Sequence, residues 1–252
     1  ITALYRTLDE DDLSIVGSDS SPEPTSVQVA IPINWGADGP AASGAVAFTN
    51  QTVTNLTALG LKSDGQTISY TRAPDGSSII ASANGEPVFT LTIVQNGPTT
   101  FSYEFTLLGP VDHAAGLGEQ TLNLTIGLIA TDGDGSTATG SFQVGIVDDV
   151  PVAQNDAGGT VPNFGDSISG NVMDNDVTGA DGAVVTSVSY YDANNVLQTV
   201  AVPQGGITVN ARYGEFTINP DGSWTYSVTD SAVDSFSSTV NLPFQYTITD
   251  GD

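Results

Sequence analysis

Short runs in which apolar and polar residues alternate fill most of this chain, and clusters of Gly, Pro, Asn and Asp separate them. A period of two over such lengths marks a β-strand with one buried face. The first half reads as strands at 27–33, 44–49, 66–71, 77–82, 87–94, 100–108, 121–130 and 141–147. The breaks between them are turn formers such as GADGP, KSDG, APDG, ANGE and QNGP, and Asn84-Gly85 and Asn96-Gly97 are the strongest short hairpin signals. Beyond Pro151 a second series follows at 166–172, 183–191, 196–202, 206–210, 214–220, 223–229 and 242–249. No segment carries convincing amphipathic-helix periodicity, and 231–240 reads either as one helical turn or as an irregular loop. Trp224 and Tyr226 alternate with polar neighbours, which places them in the core of a half-buried sheet. The pattern therefore predicts an all-β fold of two tandem β-sandwich domains, 1–150 and 151–252, each long enough to bury its own core.

Charge narrows the partners. Four Lys and Arg stand against 29 Asp and Glu, a formal charge of −25, whereas nucleic acid and anionic membranes call for basic patches. Metal cations are the natural counter-charge. With no cysteine, neither disulfides nor thiolate metal sites are available as a staple. No apolar run approaches the length of a membrane span, and the first residues have neither the basic nor the apolar region of a signal peptide. A monomer without membrane insertion is expected.

The acids are not evenly spread. Residues 131–156 carry Asp132, Asp134, Asp148, Asp149 and Asp156 around one apolar strand. Carboxylates gathered in this way repel unless a cation neutralises them, and calcium prefers such all-oxygen chemistry. The sequence thus predicts a calcium-bound junction between the two domains, against the plainer alternative of acidic, Gly-rich turns that solvate a hairpin. TDGD recurs at the end of the chain, with Asp132 and Asp250 118 positions apart, which is a domain-sized spacing. On this reading the chain is a segment of a longer tandem array, and the 250–252 copy, lacking downstream partners, binds poorly. Four consecutive acids, Asp9 to Asp12, sit where an upstream junction would lie, and Glu10 and Asp12 are its ligand candidates.

A further candidate loop runs from Asp174 to Gly179 with oxygen side chains at alternating positions, as in an EF-hand. Its twelfth position is Val185 rather than Glu, so a loop using Asp174, Asp176 and Asp181 is expected instead. Enzyme chemistry is not expected. His113 is the only histidine, its neighbour Asp112 is poorly placed to orient it, and no Gly-x-Ser-x-Gly elbow occurs. His113 reads as a structural turn residue.

These motifs also carry a resemblance. LDED, FSYEFTLLGPVDH, TDGDG and VDDVP, in that order between Leu8 and Pro151, resemble the long repeat of giant type I-secreted RTX adhesins. AQND, SISGNVMDNDVTGADG, INPDGSWTYSVTD and FQYTITDGD in the remainder are similar to bacterial cadherin-like or VCBS-type immunoglobulin-like domains. The resemblance implies immunoglobulin-like and cadherin-like sandwiches stiffened by calcium, secreted to the bacterial cell surface. It implies a role in cell adhesion and biofilm formation, with neighbouring adhesin domains as partners. As an alternative, the module itself binds a peptide or glycan on a host or neighbouring cell surface in a calcium-dependent way. No glycine-rich nonapeptide calcium repeat is present.

Overall fold

The computed structural model describes residues 5–13, 17–18, 23–114 and 118–250. The chain divides into two compact units, the first ending at Asp149 and the second starting at Val150. In the first unit the strands are β1 (Arg6–Asp9), β2 (Ser26–Ile31), β3 (Val46–Phe48), β4 (Lys62–Ser63), β5 (Gln66–Thr67), β6 (Ser69–Arg72), β7 (Ser78–Ala83), β8 (Glu86–Gln95), β9 (Phe101–Leu107), β10 (Thr121–Thr131) and β11 (Thr137–Val147). They form a four-stranded sheet ordered β1-β11-β10-β3, a five-stranded sheet ordered β2-β9-β8-β7-β6, and the small β4-β5 ladder.

Alternation explains how the two large sheets close on each other. Along β10, Leu124, Ile126, Leu128 and Ala130 are buried, and along β11, Phe142, Val144 and Ile146. The opposite sheet supplies Ile79, Phe89, Leu91, Tyr103 and Phe105 to the same core. Tyr103 stacks on Phe142 with ring centroids 3.8 Å apart, joining the layers. Each fully buried large side chain of this kind contributes about 1.5–3 kcal/mol.

One element departs from the expectation of an all-strand unit. Residues Asn50–Leu59 form an α-helix, α1, capped by the Thr49 hydroxyl on the Thr52 N–H and ended by Gly60 in the left-handed region at φ 65°. Leu56 and Thr52 are its buried residues, and Thr52 Oγ1 also accepts from the Gly127 N–H of β10 at 2.8 Å. Three threonines and two asparagines disguise it, because their intrinsic preference for helix is poor. Tertiary anchoring and two good caps override that preference.

The second unit contains β12 (Ser167–Asn171), β13 (Val184–Tyr191), β14 (Leu197–Ala201), β15 (Ile207–Ala211), β16 (Gly214–Ile218), β17 (Ser223–Val228) and β18 (Gln245–Thr249). Its sheets are ordered β12-β17-β16-β15 and β14-β13-β18. Val185, Val188, Phe216, Ile218, Tyr226 and Ile248 form the core, with Trp224 half-buried against it. The Tyr226 hydroxyl donates to the Arg212 carbonyl at 2.6 Å. The 231–240 stretch resolves into a short 3₁₀ helix, Ser231–Ser235, followed by irregular chain. The protein is all-β in class, two β-sandwich units with one inserted helix.

Candidate metal centre

Among the described residues of the first unit four acids are buried: Glu10 at 0%, Asp149 at 2%, Asp148 at 4% and Asp11 at 7% exposure. Strand geometry puts them there. β1 pairs in parallel with β11, Leu8 opposite Ile146 and Asp9 opposite Val147, and the ladder continues through the Glu10 N–H to the Val147 carbonyl at 3.1 Å. Leu8 and Ile146 both point into the core, so the pleat carries Glu10 and Asp148, each two residues further on, towards the same interior. The acidic runs at the two ends of the first unit's sequence therefore meet at one end of one sheet. The sequence places Glu10 and Asp12 at an upstream junction and Asp148 and Asp149 at a downstream one, and the parallel pairing overturns that separation.

The loop after β9 adds a nitrogen. The Val111 N–H donates to Glu10 Oε1 at 2.9 Å, and His113 Nε2 lies 3.6 Å from the same oxygen. Asp112, between them, is committed elsewhere, accepting from the Gly65 N–H at 3.1 Å. On the other side, the chain at Gly17-Ser18 folds over the acids. A Cβ on Gly17 would lie 2.3 Å from the Asp11 carbonyl oxygen, so only glycine permits this approach, and the Ser18 N–H donates to Asp149 Oδ1 at 3.0 Å. The Glu23 N–H donates to the Asp12 carboxylate. Among the described residues two sets of ligand atoms result, the atoms of each set lying within 4.8 Å of one another: Glu10, His113 and Asp148, and Asp11, Asp12 and Glu23.

Burial of this many carboxylates costs several kcal/mol per ion unless opposite charge compensates. Burial pushes Glu10 up to about 7, a rise that the His113 contact and the Val111 N–H only partly offset and that Asp148 reinforces. The chain has only four basic residues other than histidine. Two of them serve other sites, Arg72 on the Phe48 carbonyl at 2.7 Å and Arg212 on Asn195 at 2.8 Å. Glu10 Oε2 and Asp149 Oδ2 are buried without a hydrogen-bond partner. Two buried, unpaired carboxylate oxygens in a dense acidic cluster are what a divalent cation satisfies, so the donor set fits a metal.

The remaining candidates lie elsewhere. Asp132 and Asp134 occupy the turn between β10 and β11, where both accept from the Ser136 N–H, at 2.8 and 3.0 Å. The Ser136 contacts hold the exposed Asp134 carboxyl below the usual range. This turn is at the opposite end of β11 from Asp148, roughly 35 Å of strand away. The TDGD turn and the Asp148-Asp149 pair thus do not form one site, and the apolar strand between them starts at Thr137 rather than at 141. In the second unit, Asp156 lies near Asp174 and Asp176, whose negative charges add to burial in raising its carboxyl. Asp176 accepts from the Gln154 N–H at 2.7 Å and from the Tyr246 hydroxyl at 3.1 Å. Asp156 and Asp174 are exposed, and Asp181 is half-buried in the turn before β13. Of the terminal TDGD copy, Gly251 and Asp252 lie outside the described residues.

Asp11, Glu23 and His113 are members of the cluster that the sequence alone does not single out. Asp11 was present in the four-acid run but not singled out, and nothing local to His113 signals that its loop docks on Glu10. The second unit also contains a cavity of about 910 Å³ lined in part by Tyr213, Phe216, Trp224, Tyr226, Phe236 and Phe244.

No family model matches the chain. It is similar to a protein of Rhizobium johnstonii described as calcium-binding lectin RapA2, with 29% identity over 192 residues that cover 73% of this chain and 77% of the relative.

Proposed function

We propose that this chain is a calcium-binding adhesion module of an extracellular bacterial surface protein. The burial of Glu10, Asp11, Asp148 and Asp149 together carries the proposal, because a bound cation offsets the cost of hiding four carboxylates in the folded state. Asp11, Asp12, Glu23 and Asp149 supply the hard, all-oxygen donors that suit calcium, with Glu10 and Asp148 beside them. The relative's description as calcium-binding supports the same ion. Binding there ties the end of β1 to the segment that leaves β11, so it fixes the chain where it exits the first unit. In an array of such domains secreted by a type I route, that anchoring removes hinge freedom and keeps the distal binding region extended, which is its contribution to adhesion and biofilm formation. The module binds rather than catalyses, since Asp112 and His113 serve different partners.

Isothermal titration of the calcium-stripped chain tests this. We expect saturable calcium binding in the range of extracellular modules, on the order of 10⁻⁴ to 10⁻³ M. Absence of binding heat at millimolar calcium contradicts it.

A second reading, carbohydrate binding, is supported by the relative's description as a lectin and by the aromatic cavity of the second unit. Its volume falls within the range of small-molecule sites, and aromatic faces suit the apolar faces of sugars. A glycan array with and without calcium tests it. Retention of a defined glycan, lost on Trp224→Ala, is the expected result, and an array without any hit removes it.

A further inference from the structure

We infer that Glu10, His113 and Asp148 form a cation site of their own, separate from the all-oxygen group of Asp11, Asp12 and Glu23, and that it takes a divalent d-block ion of the zinc, cobalt or manganese class. The inference rests on the reading of this acidic end as a cation-binding region. The three ligand atoms lie within 4.8 Å of one another and come from three distant parts of the chain, the ends of β1 and β11 and the loop after β9. Both side chains of the best-defined pair are buried, His113 at 2% and Glu10 at 0%, and their 3.6 Å separation is close to one edge of a metal's coordination shell. A tetrahedral shell with bonds of about 2.1 Å has edges of roughly 3.4 Å.

Distance alone does not choose the element, since a calcium shell has similar edges. The nitrogen chooses it. Calcium takes six to eight oxygens, whereas imidazole is a standard ligand for zinc and its neighbours, and one imidazole with two carboxylates leaves positions for water. Glu10 has the features of a pre-set ligand. Its Oε1, the oxygen that faces His113, accepts from the Val111 N–H at 2.9 Å, which fixes the carboxylate beside the imidazole, and its buried Oε2 has no hydrogen-bond partner. The neighbouring group of Asp11, Asp12 and Glu23 contains oxygen only and stays suited to calcium. One acidic end thus offers two sites of different hardness.

Cobalt(II) is the probe, added to the full chain already saturated with calcium. The expected result is one cobalt bound per chain with a visible d–d spectrum, displaced by zinc, and weakened at least ten-fold in His113→Gln while the calcium-induced rise in Tm persists. Cobalt X-ray absorption on the unsubstituted chain should show one nitrogen ligand of imidazole type, a readout that survives if the variant folds poorly. No cobalt binding in the calcium-loaded chain, binding indifferent to His113→Gln, or a shell of oxygen only would each overturn the inference. The calcium arm is read separately, so calcium binding without cobalt binding defeats this inference alone. Loss of both defeats the cation reading from which it starts.

Discussion

Glu10 is the residue on which the energetics turn. Its carboxyl is raised to about 7, chiefly by burial, so between its ordinary value of 4.5 and 7 the folded state holds a proton that the unfolded state has released. Stability follows the protons bound in each state, so in that window it falls as pH rises. In EDTA, therefore, the chain should lose stability from pH 4.5 to pH 7, by about 3 kcal/mol from this group alone. Chemical denaturation at a series of pH values reads this directly, and a flat or rising profile contradicts it. Calcium held by the neighbouring Asp11, Asp12 and Glu23 favours the ionised form of Glu10 and should flatten the decline. A substitution sharpens the point. Glu10→Gln keeps the shape and removes the charge, so at pH 8 in EDTA it should melt above the parent chain. In calcium the two chains should melt closer together, because a cation held by the neighbouring acids stabilises the ionised Glu10 of the parent. Melting curves in which Glu10→Gln is destabilised equally with and without calcium would assign Glu10 a packing role only.

At the scale of elements, the pairing of β1 with β11 does the assembling. Leu8 anchors β1 in the core at 1% exposure, two residues before Glu10. Leu8→Ala should cost about 2–5 kcal/mol, and, because it loosens the strand that positions the acids, it should also weaken calcium binding measured by titration. Unchanged calcium affinity in the folded variant would mean that β1 does not position the site. This pairing also marks the limit of sequence reading. The strands, the two sandwiches and the acidic runs were all legible, because alternation, turn formers and carboxylates are local signals. That residues 9–12 lie beside 148–149 was not, because a parallel ladder between the two ends of a unit leaves no local trace. The TDGD turn misled for the opposite reason. It is a conspicuous local signal, yet its two carboxylates serve the Ser136 N–H at the far end of β11. The helix α1 stayed hidden behind threonine and asparagine, and His113 behind a loop whose docking only the fold reveals.

For the whole molecule, a charge of −25 on 252 residues makes self-repulsion a standing cost of compactness, concentrated where acids are buried. The two units differ in this respect. Among the described residues the first buries four carboxylates, whereas in the second Asp156 and Asp174 are exposed and Asp176 is hydrogen-bonded, so calcium should act mainly on the first. Differential scanning calorimetry of the full chain at pH 7.5, in EDTA and in excess calcium, measures this most directly. At free calcium about 100 times Kd, one native-only site adds about 2.7 kcal/mol, which for a unit of this size raises its transition by roughly 5–10 °C. We predict that shift on the transition of the first unit, with a smaller one on the second. Superimposable scans in EDTA and in calcium would contradict it, and would mean that the buried acids of the first unit are neutralised without a metal.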